Sequence, residues 1–217
     1  MGDSRIQPCV PIEVLVVGPI ENNVYLIGGD EGLLVVDPGA EPQRILDAIG
    51  GRPVDAIVLT HGHWDHVGAA RALREATGAP VVAGAVDAPV ISGEAALDPS
   101  HRSFEPCPVD RLLHDGDVLE AAGGRWRVLE TPGHTPGGIC LFLDAGEVPE
   151  AADDAFSILV AGDTLFRGTH GRTDFEGGSP AAMEESLQRL AQLPPDTLVL
   201  PGHNSLTTIA DERRWIR

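Results

Sequence analysis

The sequence is poor in basic charge: 15 Lys+Arg stand against 33 Asp+Glu, for a formal net charge of −18. That balance argues against nucleic acid as the main partner, because a phosphate backbone needs a basic face to bind. It equally disfavours docking on an anionic membrane. No apolar run approaches the length needed to span a bilayer. Met1 to Val10 contains one Arg and no sustained apolar block, unlike an export signal, so the expected location is the cytosol. Cysteine is scarce as well. Cys9, Cys107 and Cys140 are an odd number at wide spacing with no CxxC pair, which speaks against a disulfide framework. Cys140 lies in an apolar run and is expected in the core.

What is present suits a soluble domain with a full core. The 217 residues are 42% hydrophobic, and they are expected to form one domain over 1–217. Apolar runs at 14–17, 24–27, 33–36 and 56–59 read as strands, with a short helix at 44–49. Apolar residues at helical spacing predict a helix over 69–77, followed by a strand at 81–83. Residues 92–109 carry no clean period and read as a long loop. The second half repeats the plan, with strands near 118–120, 126–130, 139–143 and 158–161, a helix over 180–192 and a strand at 197–200. The acidic stretch 144–154 reads as a solvated linker with neither helix nor strand. The pattern by itself supports α and β with a mixed sheet; two sheets packed face to face with helices outside would satisfy it.

The densest chemical signal is His61-Gly62-His63-Trp64-Asp65-His66, directly after the strand at 56–59. Imidazole and carboxylate are ligands suited to zinc or iron. Further ligand types recur where later strands end. His134 follows Thr131-Pro132-Gly133, Asp163 follows Gly162, and His203 follows Pro201-Gly202. A glycine lets the backbone turn tightly beside an ion. Each of these three is a weak signal alone; together with the 61–66 cluster they point to one edge of a sheet sandwich.

His61-x-His63-x-Asp65-His66, then Gly133-His134, Gly162-Asp163 and Gly202-His203, resembles the metallo-β-lactamase superfamily in order and spacing over almost the whole chain. The resemblance implies a four-layer αβ/βα sandwich (α/β, or α+β) with a two-metal site at the edge of the inner sheets. It places His61, His63 and His134 on one metal, Asp65, His66 and His203 on the other, and Asp163 between them. Two divalent ions are implied, zinc foremost, with iron or manganese as alternatives. The reaction implied is hydrolysis by a metal-bridging hydroxide, with Asp65 able to relay a proton.

Within the superfamily, Gly18-Pro19-Ile20-Glu21-Asn22-Asn23-Val24-Tyr25, Gly162-Asp163-Thr164-Leu165-Phe166 and Gly171-Arg172-Thr173-Asp174-Phe175 are similar to short, single-domain glyoxalase II-type hydrolases. That likeness implies a small thioester substrate, an acyl conjugate of glutathione or another low-molecular-weight thiol. Arg172 matches the position of a glutathione-holding Lys in the longer enzymes, and Asp174 stands where they have a Tyr. Arg172 is thus a candidate for a substrate carboxylate, with a bridge to Asp174 or Glu176 as the structural alternative. The longer enzymes add a C-terminal helical domain, whereas 14 residues follow His203 here. The nearest rival is the persulfide dioxygenase of the same superfamily, which shares the run at 171–175 but uses one iron and oxygen. A non-catalytic metal-binding scaffold is opposed by the filled set of seven ligand positions. His101, His114 and His170 lie outside the ligand pattern, Trp64 is expected beside the site, and Trp126 in the sheet core.

Overall fold

The computed structural model describes residues 8–95, 102–148, 151–152 and 154–216. Its first half builds β1 (Ile12–Val17), β2 (Asn22–Gly29), β3 (Gly32–Val36), α1 (Pro42–Ile49), β4 (Val54–Leu59), α2 (Trp64–Val67), α3 (Ala70–Thr77), β5 (Val81–Gly84), α4 (Ala88–Ile91) and β6 (Arg111–Leu113). The second half builds β7 (Val118–Ala121), β8 (Gly124–Glu130), β9 (Ile139–Leu143), β10 (Ile158–Gly162), α5 (Pro180–Leu190), β11 (Leu198–Pro201), β12 (Thr207–Thr208) and α6 (Ile209–Glu212). The strands form two six-stranded sheets, in the orders β1-β2-β3-β4-β5-β6 and β12-β11-β10-β9-β8-β7.

Residue alternation explains the layering. Along β2, Tyr25 and Ile27 face one way and Val24 and Leu26 the other, and all four are buried. A strand apolar on both faces must be covered on both. Tyr25, Ile27, Leu34, Val36 and Val58 of the first sheet meet Trp126, Val128, Leu141, Val160 and Leu200 of the second in a central core. The outer face of the first sheet, with Leu26, Val35 and Ile57, is covered by Ile45 and Ile49 of α1 and Leu73 of α3. The outer face of the second, with Leu129, Cys140, Phe142 and Val199, is covered by Met183, Leu187 and Leu190 of α5. The result is helix, sheet, sheet, helix, the αβ/βα sandwich expected. Helix α5 starts where Ser179 accepts a hydrogen bond from the Ala182 amide and Pro180 takes the first helical position.

Strand direction positions the site. β3 and β4 are parallel. β8 and β10 each run antiparallel to β9, and β10 runs parallel to β11, so β8, β10 and β11 point the same way. The loops that leave the carboxyl ends of β8, β10 and β11 therefore open toward one edge, and the end of β4 meets that edge where the Thr60 carbonyl accepts from the Ile139 amide at the start of β9.

Several short elements depart from the sequence reading. β6 emerges just beyond the 92–109 segment, of which 102–109 is irregular and 96–101 lies outside the described residues. Within 144–154, a single 3₁₀ turn covers Ala145–Glu147, where Asp144 accepts a hydrogen bond from the Gly146 amide; residues 149, 150 and 153 lie outside the described residues. That cap, the Glu147 amide on the Asp144 carbonyl and the Ala145 amide on the Ser157 hydroxyl order the acidic turn, which solvation alone does not predict. Among the described residues, no helix is long and apolar enough to cross a membrane.

Candidate metal centre

The strand ends bring all seven expected ligand residues together. His61, His63 and His134 form one group whose ligand atoms lie within 4.8 Å of one another, and Asp65, His66 and His203 form a second. His134 Nε2 is 2.8 Å from His63 Nδ1, which is 3.1 Å from His61 Nε2. His203 Nε2 is 3.1 Å from Asp65 Oδ2, and His66 Nε2 is 3.3 Å from the same oxygen. Asp163 stands between the groups. Its Oδ1 is 3.4 Å from His66 Nε2, and its Oδ2 is 3.4 Å from His134 Nε2.

The outer partners of the imidazoles decide which nitrogen faces inward. His134 Nδ1 donates to the Arg172 carbonyl at 2.7 Å, and His203 Nδ1 to the Ile20 carbonyl at 3.1 Å. His66 Nδ1 donates to Asp37 Oδ2 at 2.9 Å. The Thr60 hydroxyl donates to Asp37 Oδ2 at 2.7 Å, so its oxygen is left to accept from His61 Nδ1 at 3.0 Å. Four rings thus commit Nδ1 outward and aim Nε2 at one another. Rings so oriented suit cations, because a carboxylate or carbonyl on the far nitrogen raises ligand basicity. His66 Nε2 and Asp163 Oδ1 are buried with no hydrogen-bond partner, which a metal would supply. This His/Asp cluster fits a dinuclear metal site.

Charge at the site follows from burial and neighbours. Burial and the surrounding imidazoles hold His61 well below the usual histidine range. Burial also opposes a proton on His66, but Asp163 and Asp37 outweigh it and raise this ring well above that range. Burial likewise disfavours ionised Asp65, yet the hydrogen bond with His203 and the neighbouring His66 ring prevail and keep its carboxyl well below the carboxylate range.

Glycine is required where the sequence places it before a ligand. A Cβ on Gly202 would stand 2.3 Å from Asp163 Oδ1 and 2.6 Å from His66 Cε1. Gly162 has φ +47°, and a Cβ there would meet Thr60 Oγ1 at 2.5 Å.

Asp37 and Asp87 escaped the sequence reading. Asp37 closes β3 as Asp37-Pro38-Gly39, the same pattern of apolar strand, turn and ligand type that marked the other sites. Asp87 follows β5 and accepts from the Gly62 amide at 3.0 Å and the Gly137 amide at 2.8 Å, tying the His61–His63 loop to the loop after His134. The segment Asn22-Asn23-Val24-Tyr25 acts on the His203 loop. Asn23 Nδ2 donates to the Pro201 and Asn204 carbonyls, and Tyr25 donates to Pro201 at 2.6 Å.

The centre opens into a cavity of about 570 Å³ lined in part by Trp64, Phe166 and Phe175, with Arg102 and Arg172. Arg172 makes the bridge to Asp174, bidentate at 2.8 and 2.7 Å. Trp64 does lie beside the site and Trp126 is buried in the sheet core, as expected. His170 lies off the cavity, with its ring 6.3 Å from Trp215; His114 is exposed, and His101 lies outside the described residues.

An αβ/βα sandwich with a His/Asp cluster of metal-ligand type at its strand ends defines a metallohydrolase-type architecture. A model of the metallo-β-lactamase superfamily matches residues 17–203, and the chain belongs to that superfamily. "Probable metallo-hydrolase YqgX" of Bacillus subtilis is 34% identical, over 91% of this chain and 92% of the relative. "Hydroxyacylglutathione hydrolase GloC" of Haemophilus influenzae is 33% identical, over 94% and 95%. Among solved structures, the B3 metallo-β-lactamase BLEG-1 superposes with a TM-score of 0.81 at 28% identity, covering 95% of this chain and 98% of that one. TTHA1623 in a di-iron-bound form gives 0.74 at 37%, covering 93% and 97%. ETHE1 from Myxococcus xanthus gives 0.72 at 29%, covering 94% and 82%.

Proposed function

We propose that this protein is a metal-dependent thioesterase that hydrolyses S-acyl conjugates of a low-molecular-weight thiol, glutathione or another carrier. The observation that carries the reading is the pair of inward-facing ligand groups, with Asp163 between them, opening on a cavity with aromatic walls and a cationic rim. His61, His63 and His134 would hold one divalent ion and Asp65, His66 and His203 the second, with Asp163 placed between the two groups; zinc is the expected metal. Such a pair of ions, when bound, supplies a hydroxide at neutral pH and polarises the scissile carbonyl.

The protein's own residues do the rest. Asp65 stays ionised, so the carboxylate oxygen that it would not spend on the ion can take a proton from the attacking water and return it to the leaving group. The leaving thiol needs little help, since free thiols ionise near about pH 8.5. Trp64, Phe166 and Phe175 exclude water from the apolar part of the conjugate. Arg102, with the carboxylate-paired Arg172 beside it, gives an otherwise acidic protein a local positive site for an anionic substrate.

The likeness to ETHE1, together with the run at 171–175, favours one second reading, an iron-dependent oxygenation of a thiol persulfide. The deciding experiment uses protein loaded separately with zinc, manganese and iron, with metal content measured. It is offered a panel of thioesters, a persulfide with oxygen uptake recorded, and a β-lactam. Two metals per chain with thiol release from thioesters supports the hydrolase. One iron per chain with oxygen consumption on the persulfide, and no thioester turnover, would sink it.

A further inference from the structure

The two arginines at the cavity are in different chemical states. Arg172 is clasped by Asp174 through two hydrogen bonds and lies over the Phe175 ring, 4.0 Å from its centroid. Its charge is largely answered by a carboxylate two residues away, and its Nε–Nη2 edge is already taken. Arg102 lies over the Trp64 ring at 4.9 Å on the same cavity, and among the described residues no carboxylate pairs with it. Stacking on an indole holds a guanidinium in place while leaving its N–H edges open.

We infer that Arg102, stacked on Trp64, is the contact that recognises a carboxylate on the substrate, and that the Arg172–Asp174 pair serves chiefly as cavity wall. The family resemblance directs attention to Arg172, but the observed clasp transfers that role to Arg102. Arg172 keeps a second task through its backbone, since its carbonyl orients His134. This assignment rests on the thioesterase reading for its substrate class: an acyl conjugate whose thiol portion bears a free carboxylate. It does not rest on that reading for the binding preference itself.

Two ligand pairs test it. The first is a thioester with a free carboxylate on the thiol portion and its methyl ester, assayed with zinc-loaded wild type and with Arg102→Ala, Arg102→Lys and Arg172→Ala. Arg102→Ala should raise KM for the carboxylate substrate at least tenfold more than for the methyl ester, with kcat within twofold. Arg102→Lys should recover part of the loss, and Arg172→Ala should discriminate less than Arg102→Ala. Equal effects of Arg102→Ala on both substrates, or stronger discrimination by Arg172→Ala, overturns the inference.

The second pair is the matching non-hydrolysable thioethers, with binding measured by calorimetry. If wild type turns over neither thioester, the hydrolase reading fails, and the thioethers still decide the role of Arg102. Preference for the carboxylate in wild type, abolished in Arg102→Ala, upholds it; no preference in wild type overturns it.

Discussion

Asp37 Oδ2 lies 2.9 Å from His66 Nδ1, and both side chains are buried. The same carboxylate accepts the Thr60 amide at 2.7 Å on Oδ1 and the Thr60 hydroxyl at 2.7 Å on Oδ2. One acid thereby orients His66 directly and His61 through Thr60. Asp37→Asn should weaken zinc affinity by about 10–100-fold, the usual effect of losing such an outer partner. Asp37→Ala should also lower unfolding stability by roughly 3 kcal/mol or more, since each stranded buried donor costs about 1–3. Chelator competition and denaturant titration measure the two effects. Affinity within twofold of wild type in Asp37→Asn would show that His66 needs no such support.

Metal binding should expel a proton. His66 is raised well above the usual histidine range by Asp163 and Asp37 against the opposing effect of burial, which favours a proton on that ring in the metal-free protein. A raised pKa stabilises the fold fully below the unfolded value, and the contribution fades as pH climbs through the folded one. A cation needs the Nε2 lone pair and must displace the proton, so zinc affinity should strengthen from pH 6 to 8. Calorimetry at pH 7 in buffers of different ionisation enthalpy reads the release; buffer-independent heats would contradict it.

Asp87 joins the two halves of the site by accepting from the Gly62 and Gly137 amides. Burial pushes its carboxyl up, so the two amide donors hold a carboxylate that is costly to bury. Asp87→Ala should destabilise by roughly 2–4 kcal/mol through two stranded buried N–H groups. Gly137→Ala should do comparable harm, because its Cβ would meet the Asp87 amide nitrogen at 2.4 Å. Chemical denaturation of both variants within about 0.5 kcal/mol of wild type, the range of ordinary surface changes, would discount the link.

The cysteines should be inert in the native state. Cys9, Cys107 and Cys140 are all buried, and burial pushes each thiol up to about 11. At pH 8 a thiol-disulfide reagent should leave all three unmodified for minutes and label all three in guanidinium. Rapid labelling of any one in native protein would point to a reactive site.

The Arg172–Asp174 clasp should survive across the working pH range. Hydrogen bonding to Arg172 lowers the Asp174 carboxyl to about 2. A depressed acid stabilises above its unfolded value, and that contribution disappears as pH falls through the folded one, here from about 4 down to about 2. Carbonyl NMR should find the titration near 2 in wild type and near about 4 in Arg172→Ala. A wild-type midpoint near 4 would dissolve the clasp and return Arg172 to the pool of free cations.

Much of this was legible in the chain. Strands such as Ile139–Leu143 and Ile158–Gly162 are continuous apolar runs, and their burial on both faces follows from composition. Elements of two to four residues were not legible. Thr207–Thr208 and Ala88–Ile91 are too short to show a period, and they form because a neighbouring strand or a proline at a helix start supplies what local propensity lacks. Asp37 was within reach, since it ends an apolar strand at a turn as His61 and Asp163 do. Arg102 was not, because nothing in an irregular stretch foretells a stack on Trp64.

By itself the sequence determined which residue types stand at the ends of apolar strands, and hence that histidines and aspartates would gather at one edge of a layered fold. That follows from covalent order and side-chain alternation. The tertiary structure decided which imidazole nitrogen faces inward, that Asp163 stands between two groups, and that one arginine is engaged while another is open. Those outcomes depend on hydrogen bonds joining 37 to 66, 134 to 172 and 23 to 201. Groups so distant in the chain meet when two sheets pack against each other, and no local preference encodes that meeting.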